Sequence, residues 1–342
     1  MKKIVLLVFV LTITLSSRSQ NDIDVLLAGG IEDAQRFAND YLAPGTDGIM
    51  HSMNANWFNS GKVKPLGGFE ISVIANASMV KDEHKMFNLN TAEYNNVQFV
   101  QGPDSQMVSS VLGENNPAIF VVVKYDDELT GDIFGTQTAT LELPEGIGSG
   151  SANLLPTAFL QGALGISSGL ELKARFVPKV ETDDVSLSMY GAGLQMEFTE
   201  WFPPNNLFPV AISGVVAYTH LDGSYNLTES SGIEGENQRL ENDTNTWLFQ
   251  VLASTKLPVI NFYGGVGYIT GKSESNLLGN YRVTDGLLTT QTIVDPFSVS
   301  SEVSAVRATV GTKLKLGFFR LNAEYHLSEF NAFSVGLNFG FR

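Results

Sequence analysis

Residues 318–342 read FFRLNAEYHLSEFNAFSVGLNFGFR, and their apolar side chains fall on every second position. Phe319, Leu321, Ala323 and Tyr325 alternate with Arg320, Asn322, Glu324 and His326. After a short break, Phe333, Val335, Leu337, Phe339 and Phe341 alternate with Ser334, Gly336, Asn338 and Gly340. Successive side chains of a strand point to opposite faces, so each run has one greasy and one polar face. About ten residues patterned this way suffice to cross a bilayer at a tilt, with lipid on one side and a polar interior on the other.

The same alternation recurs upstream. It predicts a strand over 67–80, with Phe69, Ile71, Val73, Ala75, Ala77 and Met79 on one face and Glu70, Ser72, Asn76 and Ser78 on the other. Further strands are expected at 155–165, 169–179, 185–198, 208–220, 246–256, 259–269, 303–314, 318–326 and 332–341. Shorter candidates lie at 85–90, 96–101, 119–125 and 138–143. Tight turns at Ile166-Ser167-Ser168, Trp201 to Pro204, Leu257-Pro258 and Lys315 to Gly317 alternate with longer connections, the asymmetry of barrels with brief turns at one rim and long loops at the other. The expected fold is all-β, a transmembrane antiparallel β-barrel of about fourteen strands, or twelve if the two weakest candidates do not pair.

The chain opens with Lys2-Lys3, an apolar run from Ile4 to Leu15, and small residues at Ser17 and Ser19, which reads as a cleaved signal peptide over 1–19. No later apolar run approaches the ~18 residues of a membrane helix, so any crossing falls to strands. There is no cysteine, hence no disulfide and no thiolate metal site. The net charge is −15, and losing Lys2, Lys3 and Arg18 makes it −18, which argues against nucleic acid as a partner.

Between leader and barrel, residues 20–65 read as a plug. Ile31, Ala34, Phe37, Ala38 and Tyr41 fall at helical spacing, and Pro44-Gly45 is expected to stop that helix. Residues 48–59 fit no clean pattern. One more strand there would make the count odd, so the segment is placed inside the barrel, where irregular backbone is tolerated. Phe37, Tyr41, Trp57, Phe58 and Asn59 are its candidate packing residues, and the barrel proper is assigned to 66–342.

The run closing on Phe341 resembles the carboxy-terminal insertion signal of outer-membrane barrels. Leader, helical and irregular prelude, then strands together resemble the outer-membrane transporters for long-chain fatty acids and other hydrophobic molecules, although Phe58-Asn59-Ser60-Gly61 stands where that family often has Asn-Pro-Ala. The stretches YLAPGTDGIMHSMNANWFNSGKVKPLGGFEISV and QGALGISSGLELKARFVPK are similar to an uncharacterised family of outer-membrane barrel proteins common in Bacteroidota. The resemblance implies an integral outer-membrane location, a monomer in lipid, and a plugged, porin-like passive transporter for a small hydrophobic molecule. The alternatives are a non-transporting surface barrel whose loops bind a partner and, remotely, a membrane lipase.

If the aromatic face meets lipid, Arg307, Lys313, Arg320, Glu324, His326, Glu171, Lys173 and Arg175 face the lumen, joined by Leu248, Leu252, Val259 and Tyr263. Buried charges need partners before substrates, so pairing with each other or with the plug is expected ahead of solute selection. Trp57, Trp201, Trp247, Tyr268, Tyr325 and Phe341 are read as interfacial aromatics. No two of His51, His84, His220 and His326 have metal-ligand spacing, and acidic runs such as Asp126-Asp127-Glu128, Asp183-Asp184 and Glu241 to Asp243 lack the EF-hand order. His326-Leu327-Ser328 superficially resembles the outer-membrane phospholipase arrangement, but Glu329-Phe330-Asn331 follows in place of Asn-Gly-Arg. No catalysis, cofactor or metal is expected.

Overall fold

The computed structural model describes residues 22–125, 137–150, 153–182, 184–202, 209–227, 234–284 and 290–341. The leader, the Asp126 to Glu128 cluster, Asp183 and Pro203-Pro204 lie outside the described residues. Two helices come first, α1 (Asp22–Ala28) and α2 (Ile31–Met53). The wall is built from β1 (Phe69–Met79), β7 (Leu154–Ser167), β8 (Leu170–Glu181), β9 (Val185–Glu197), β10 (Val210–Asn226), β11 (Gly235–Thr255), β12 (Ile260–Thr284), β14 (Phe297–Leu316), β15 (Phe319–Leu327) and β16 (Ala332–Phe341). They pair in the order β11-β10-β9-β8-β7-β1-β16-β15-β14-β12, and β11 pairs back to β12, so ten antiparallel strands close on themselves. A short β13 (Thr290–Val294) continues the sheet on β12 beyond the closure.

The expected fourteen strands are therefore a correction. All ten long alternating segments are in the wall. The four short candidates form strands elsewhere: β2 (Met86–Asn90) pairs with β4 (Ser105–Ser109), and β3 (Val97–Phe99), β5 (Phe120–Tyr125) and β6 (Gln137–Glu142) make a second small sheet. At three to six residues they are too short to span hydrocarbon. With the turns around them they form a cap, inserted between β1 and β7. Its core packs Leu89, Tyr94, Val97, Val108, Val121 and Leu141 against Phe37 and Tyr41 of α2. The Asp33 carboxylate accepts the backbone N–H groups of Asn95 (2.9 Å) and Asn96 (2.7 Å), tying the first turn of α2 to the cap.

Several long connections also prove to be strand. β10, β11, β12 and β14 run 17 to 25 residues, well past the alternating segments that marked them. Their outer portions turn polar residues such as Asp222, Glu241, Lys272, Glu274 and Glu302 outward and mix apolar with polar residues inward, where Leu221, Leu240, Leu277 and Tyr281 are interspersed with Ser273 and Ser275, so the greasy-outside pattern that marks a wall strand is lost although the backbone ladder continues.

α2 does not stop at Pro44-Gly45, which lies inside it. Proline removes one helical hydrogen bond without ending the helix here, and the Thr46 hydroxyl donates to the Leu42 carbonyl at 3.1 Å. The glycines serve close approach instead of a turn. A Cβ at Gly45 would sit 2.6 Å from Val111 Cγ1, and one at Gly48 would sit 2.4 Å from Leu155 Cδ1. Stripped of side chains on that face, α2 descends from the cap into the barrel along β14: Gln35 donates to the Ser298 carbonyl, Asp47 meets Ser301, and Arg307 reaches the His51 carbonyl. Residues 54–65 then cross the rest of the lumen as irregular backbone to the short-turn rim, where Gly67 bonds the Gly165 carbonyl and β1 begins.

The wall is inverted relative to a water-soluble protein. Ile71, Val73, Leu172, Phe176, Val251, Phe262, Val306, Val310 and Phe339 are exposed on the outside. Their strand neighbours Glu70, Ser72, Asn76, Glu171, Lys173, Arg175, Arg307 and Asn338 are buried within. Such a belt is stable in lipid, where strands must close on themselves because no water is present to bond a free edge. Val310, 56% exposed at mid-height, tests this: Val310→Arg is expected to cost about 2–4 kcal/mol of unfolding free energy in lipid vesicles. An unchanged urea midpoint would mean that this face does not meet hydrocarbon.

Candidate functional site

The filled lumen is the one place where most of the singled-out residues converge. An α-helix ends with carbonyls that have no partner within it, and the dipole makes that end negative. Here Asn54 bonds the Met50 carbonyl through its side chain and the Asn54 and Ala55 amides bond those of His51 and Ser52, and the barrel adds further partners. Arg175, fully buried on β8, donates from Nη1 to the Met53 carbonyl (2.5 Å) and from Nη2 to the Ala55 carbonyl (2.7 Å). Its Nε and Nη2 hold Gln161 Oε1 at 3.2 and 2.8 Å, and its guanidinium lies 4.1 Å from the Trp57 ring and 3.8 Å from the Phe159 ring. Arg307 on β14 donates from Nη2 to the His51 carbonyl at 2.6 Å. Two cations from opposite walls thus cap one helix end.

Below them, side chains of the wall replace solvent for the irregular chain. Gln161 donates to the Asn56 carbonyl (3.3 Å) and Gln195 to the Ser60 carbonyl (2.8 Å). The Gly61 amide donates to Ser254 Oγ (2.8 Å), while the Ser213 hydroxyl donates to the Gly61 carbonyl. The amides of Val63 and Lys64 each donate to a carboxylate at 2.9 Å, from Glu197 and Glu171 respectively. Trp57 and Phe58 bury their rings among Val215, Leu248, Leu252 and Tyr263.

The charges meet at the short-turn end. Glu70 of β1 lies 2.6 Å from Arg320, 3.2 Å from Lys313 and 3.5 Å from Lys64. Glu171 lies 2.8 Å from Lys173 and 3.1 Å from Lys64. Asn59 sits against β1, β16 and β14, donating to Glu70 (2.9 Å) and Asn338 (3.2 Å) and accepting from Lys313 Nζ (2.7 Å). The expectation that lumenal charges serve each other and the plug agrees with these contacts. Higher up, Glu324 accepts from the Tyr263 hydroxyl (2.9 Å) and lies 3.2 Å from His326 Nε2.

Two placements are corrected. Phe37 and Tyr41 do not fill the lumen but stack at 5.7 Å within the cap core, because α2 begins beyond the rim. Val259 is exposed in the turn before β12, whereas Leu248, Leu252 and Tyr263 face inward as expected. Of the aromatics, Trp57 is wholly interior, and Trp201, Trp247, Tyr268 and Phe341 are outward. In the cap, burial holds the His84 imidazole below its ordinary range and raises the Tyr94 hydroxyl.

Ser328 does not pair with His326. Its hydroxyl donates to the Phe330 carbonyl at 2.7 Å and lies 3.3 Å from His51 Nδ1, and His51 Nε2 is 3.8 Å from Glu329. A nucleophile needs its proton aimed at the base and the base held by a third group, and neither is met here. Missed from the sequence was the His220, Asp222 and Asp243 group on the outer wall, brought together by the β10–β11 register, with His220 Nε2 3.0 Å from Asp222. Gln161, Gln195, Ser213, Ser254 and Asn338 were likewise missed as partners of the plug, because alternation gives a face but not which strands adjoin.

The capping arginine allows a direct test. Arg175→Met keeps much of the volume but leaves two buried carbonyls unbonded, an expected loss on the order of 3 kcal/mol in unfolding free energy with new protease sensitivity within 54–65. Arg175→Lys should fall between, and undiminished protection in Arg175→Met would contradict the capping role.

Among solved structures, the chain is similar to the attachment invasion locus protein Ail of Yersinia pestis, at 9% identity and TM-score 0.26, covering 81% of this chain and 99% of that one. It is also similar to the translocator domain of the autotransporter NalP from Neisseria meningitidis, at 10% and 0.30, covering 82% and 90%. The transport unit of the autotransporter AIDA-I from Escherichia coli matches at 8% and 0.32, covering 89% and 99%. Likenesses at this level carry no reading of function. No curated protein matches the chain. A family model described as a family of unknown function (DUF6588) matches residues 1–341, and the chain belongs to that family.

Proposed function

We propose that the protein is an integral outer-membrane barrel, closed by its own leading segment, that holds a cap at the cell surface for binding a partner. The observation that carries this is the bonding of residues 56–64: Asn56, Ser60, Gly61, Val63 and Lys64 each have a backbone group held by a side chain of the wall. A barrel of eight strands is just filled by its own side chains, so ten leave room for about one further chain segment, and the plug takes that room. A standing pore beside it does not fit. Long-loop rims face outward in such barrels, which puts the cap and the start of α2 outside the cell and the carboxy terminus in the periplasm. The ten wall strands close on themselves, which favours a monomer, and among the described residues no assembled nucleophile favours an enzyme.

A second reading is gated passage of a small hydrophobic molecule. It is favoured by an apolar pocket of about 130 Å³ beside α2 at the outer end of the lumen. Passage would require residues 54–65 to leave the wall.

Ser60 Oγ and Ser254 Oγ lie 3.5 Å apart, and the chain has no cysteine of its own. Ser60→Cys with Ser254→Cys should therefore lock the plug on oxidation. Under the closed-barrel reading, unlocked protein in planar bilayers shows no steady conductance, and locking changes neither that nor uptake of hydrophobic solutes by cells. A steady conductance, or uptake abolished by oxidation and restored by reductant, would overturn it in favour of passage.

Orientation is tested by labelling intact cells with a membrane-impermeant maleimide. Glu32→Cys on α2 is expected to react, and Lys62→Cys at the opposite rim only after lysis. The reverse pattern would invert the proposed topology.

A further inference from the structure

We infer that the outer end of the lumen contains a binding site for a small, uncharged, wholly apolar molecule, bounded by α2, the cap and strands β7, β10 and β11. The inference deepens the second reading only in naming a ligand class, since the site can fill whether or not anything then crosses the barrel.

Its walls are Leu42 of α2, Val111 and Leu112 of the cap, Leu155 of β7, Leu221 of β10 and Leu240 of β11. None of the lining side chains is charged. Of its polar members, Thr46, Asn242 and Ser275 have partners already. Thr46 donates to the Leu42 carbonyl at 3.1 Å. Asn242 donates to Ser273 Oγ at 2.8 Å and Ser275 Oγ at 2.9 Å, and accepts from Thr244 at 2.8 Å. Apart from the hydroxyls of Ser224 and Tyr225, which it shares with the polar neighbour at the rim, the walls offer a guest little to bond, and apolar cavities of this scale take apolar guests. About 130 Å³ is close to the ~150 Å³ of an engineered apolar cavity that binds benzene, which sets the scale of the guest at one ring or a short alkane.

The void persists because β10 carries Gly223 at an inward position. A Cβ there would have its nearest neighbours at 3.8 Å, on Leu187, and 3.9 Å, on Asn242, so a larger residue is sterically admissible and its absence leaves space. A wider pocket of about 390 Å³, lined by Glu181, Asp184 and Arg239 among others, shares Ser224 and Tyr225 with this one. That polar neighbour lies at the rim, on the side a molecule from outside would meet first.

The test uses the full chain in lipid nanodiscs with fluorobenzene as probe, read by 19F NMR against empty nanodiscs and against two filling variants, Gly223→Leu and Leu240→Phe. Expected is a saturable bound signal in the unaltered protein, reduced at least tenfold in each variant that retains its melting temperature, and absent for 4-fluorobenzoate. Gly162→Ala, whose added Cβ meets nothing within 4 Å, should bind as the unaltered protein does. Equal signals in unaltered and filled proteins, or equal binding of 4-fluorobenzoate, would overturn the site. Because binding is read without passage, oxidising the Ser60→Cys and Ser254→Cys pair should leave it unchanged. Loss of uptake and loss of binding are thus separable results.

Discussion

A helix that ends at membrane depth has carbonyls with no water to receive them, and this protein answers with two arginines from the wall. Arg175 and Arg307 are buried, yet each reaches a carbonyl at the end of α2. The arrangement serves both sides of the interface. The helix end, negative by its dipole, gives the guanidinium groups favourable surroundings that an empty lumen would lack, and the guanidinium groups add to the cap that Asn54 and the Ala55 amide already make. From that point to the short-turn rim the chain cannot be regular, because amides and carbonyls are being handed one at a time to Gln161, Gln195, Ser213, Ser254, Glu197 and Glu171.

Much of the wall was legible from period two alone. Glu70, Ser72, Asn76 and Ser78 were assigned to one face of a strand by their neighbours Phe69, Ile71, Val73 and Met79, and they are interior. The inward set Lys173, Arg175, Arg307, Lys313, Arg320, Glu324 and His326 followed by the same rule. What alternation does not encode is where a strand stands. The segments at 85–90, 96–101, 119–125 and 138–143 are strands, but a short strand in a water-exposed cap and a weak one in a wall look alike in sequence, and length was the better discriminant. Pro44-Gly45 misled for a related reason: glycine can mark a turn or a close approach, and only the position of Val111 tells which.

Strand number in turn constrains what the molecule can do. A fourteen-stranded wall would hold a plug and a passage side by side; ten strands hold the plug. The apolar pocket beside Gly223 lies between helix, cap and wall, above the segment that fills the lumen.

The placement of Glu70 has a mechanical consequence. Its strand is the first of the wall and β16 is the last, and these two chain ends zip along ten residue pairs from Phe69–Phe341 to Ser78–Ala332. Glu70 on one side of that seam is bonded to Lys313 and Arg320 on the other, with Asn59 of the leading segment wedged among them, while Ser72 grips Asn338 and Ser334 grips Asn76 across it. The inserted chain therefore acts as a rivet: it fastens the hoop where its two ends meet, so closure of the cylinder and seating of its contents draw on the same contacts.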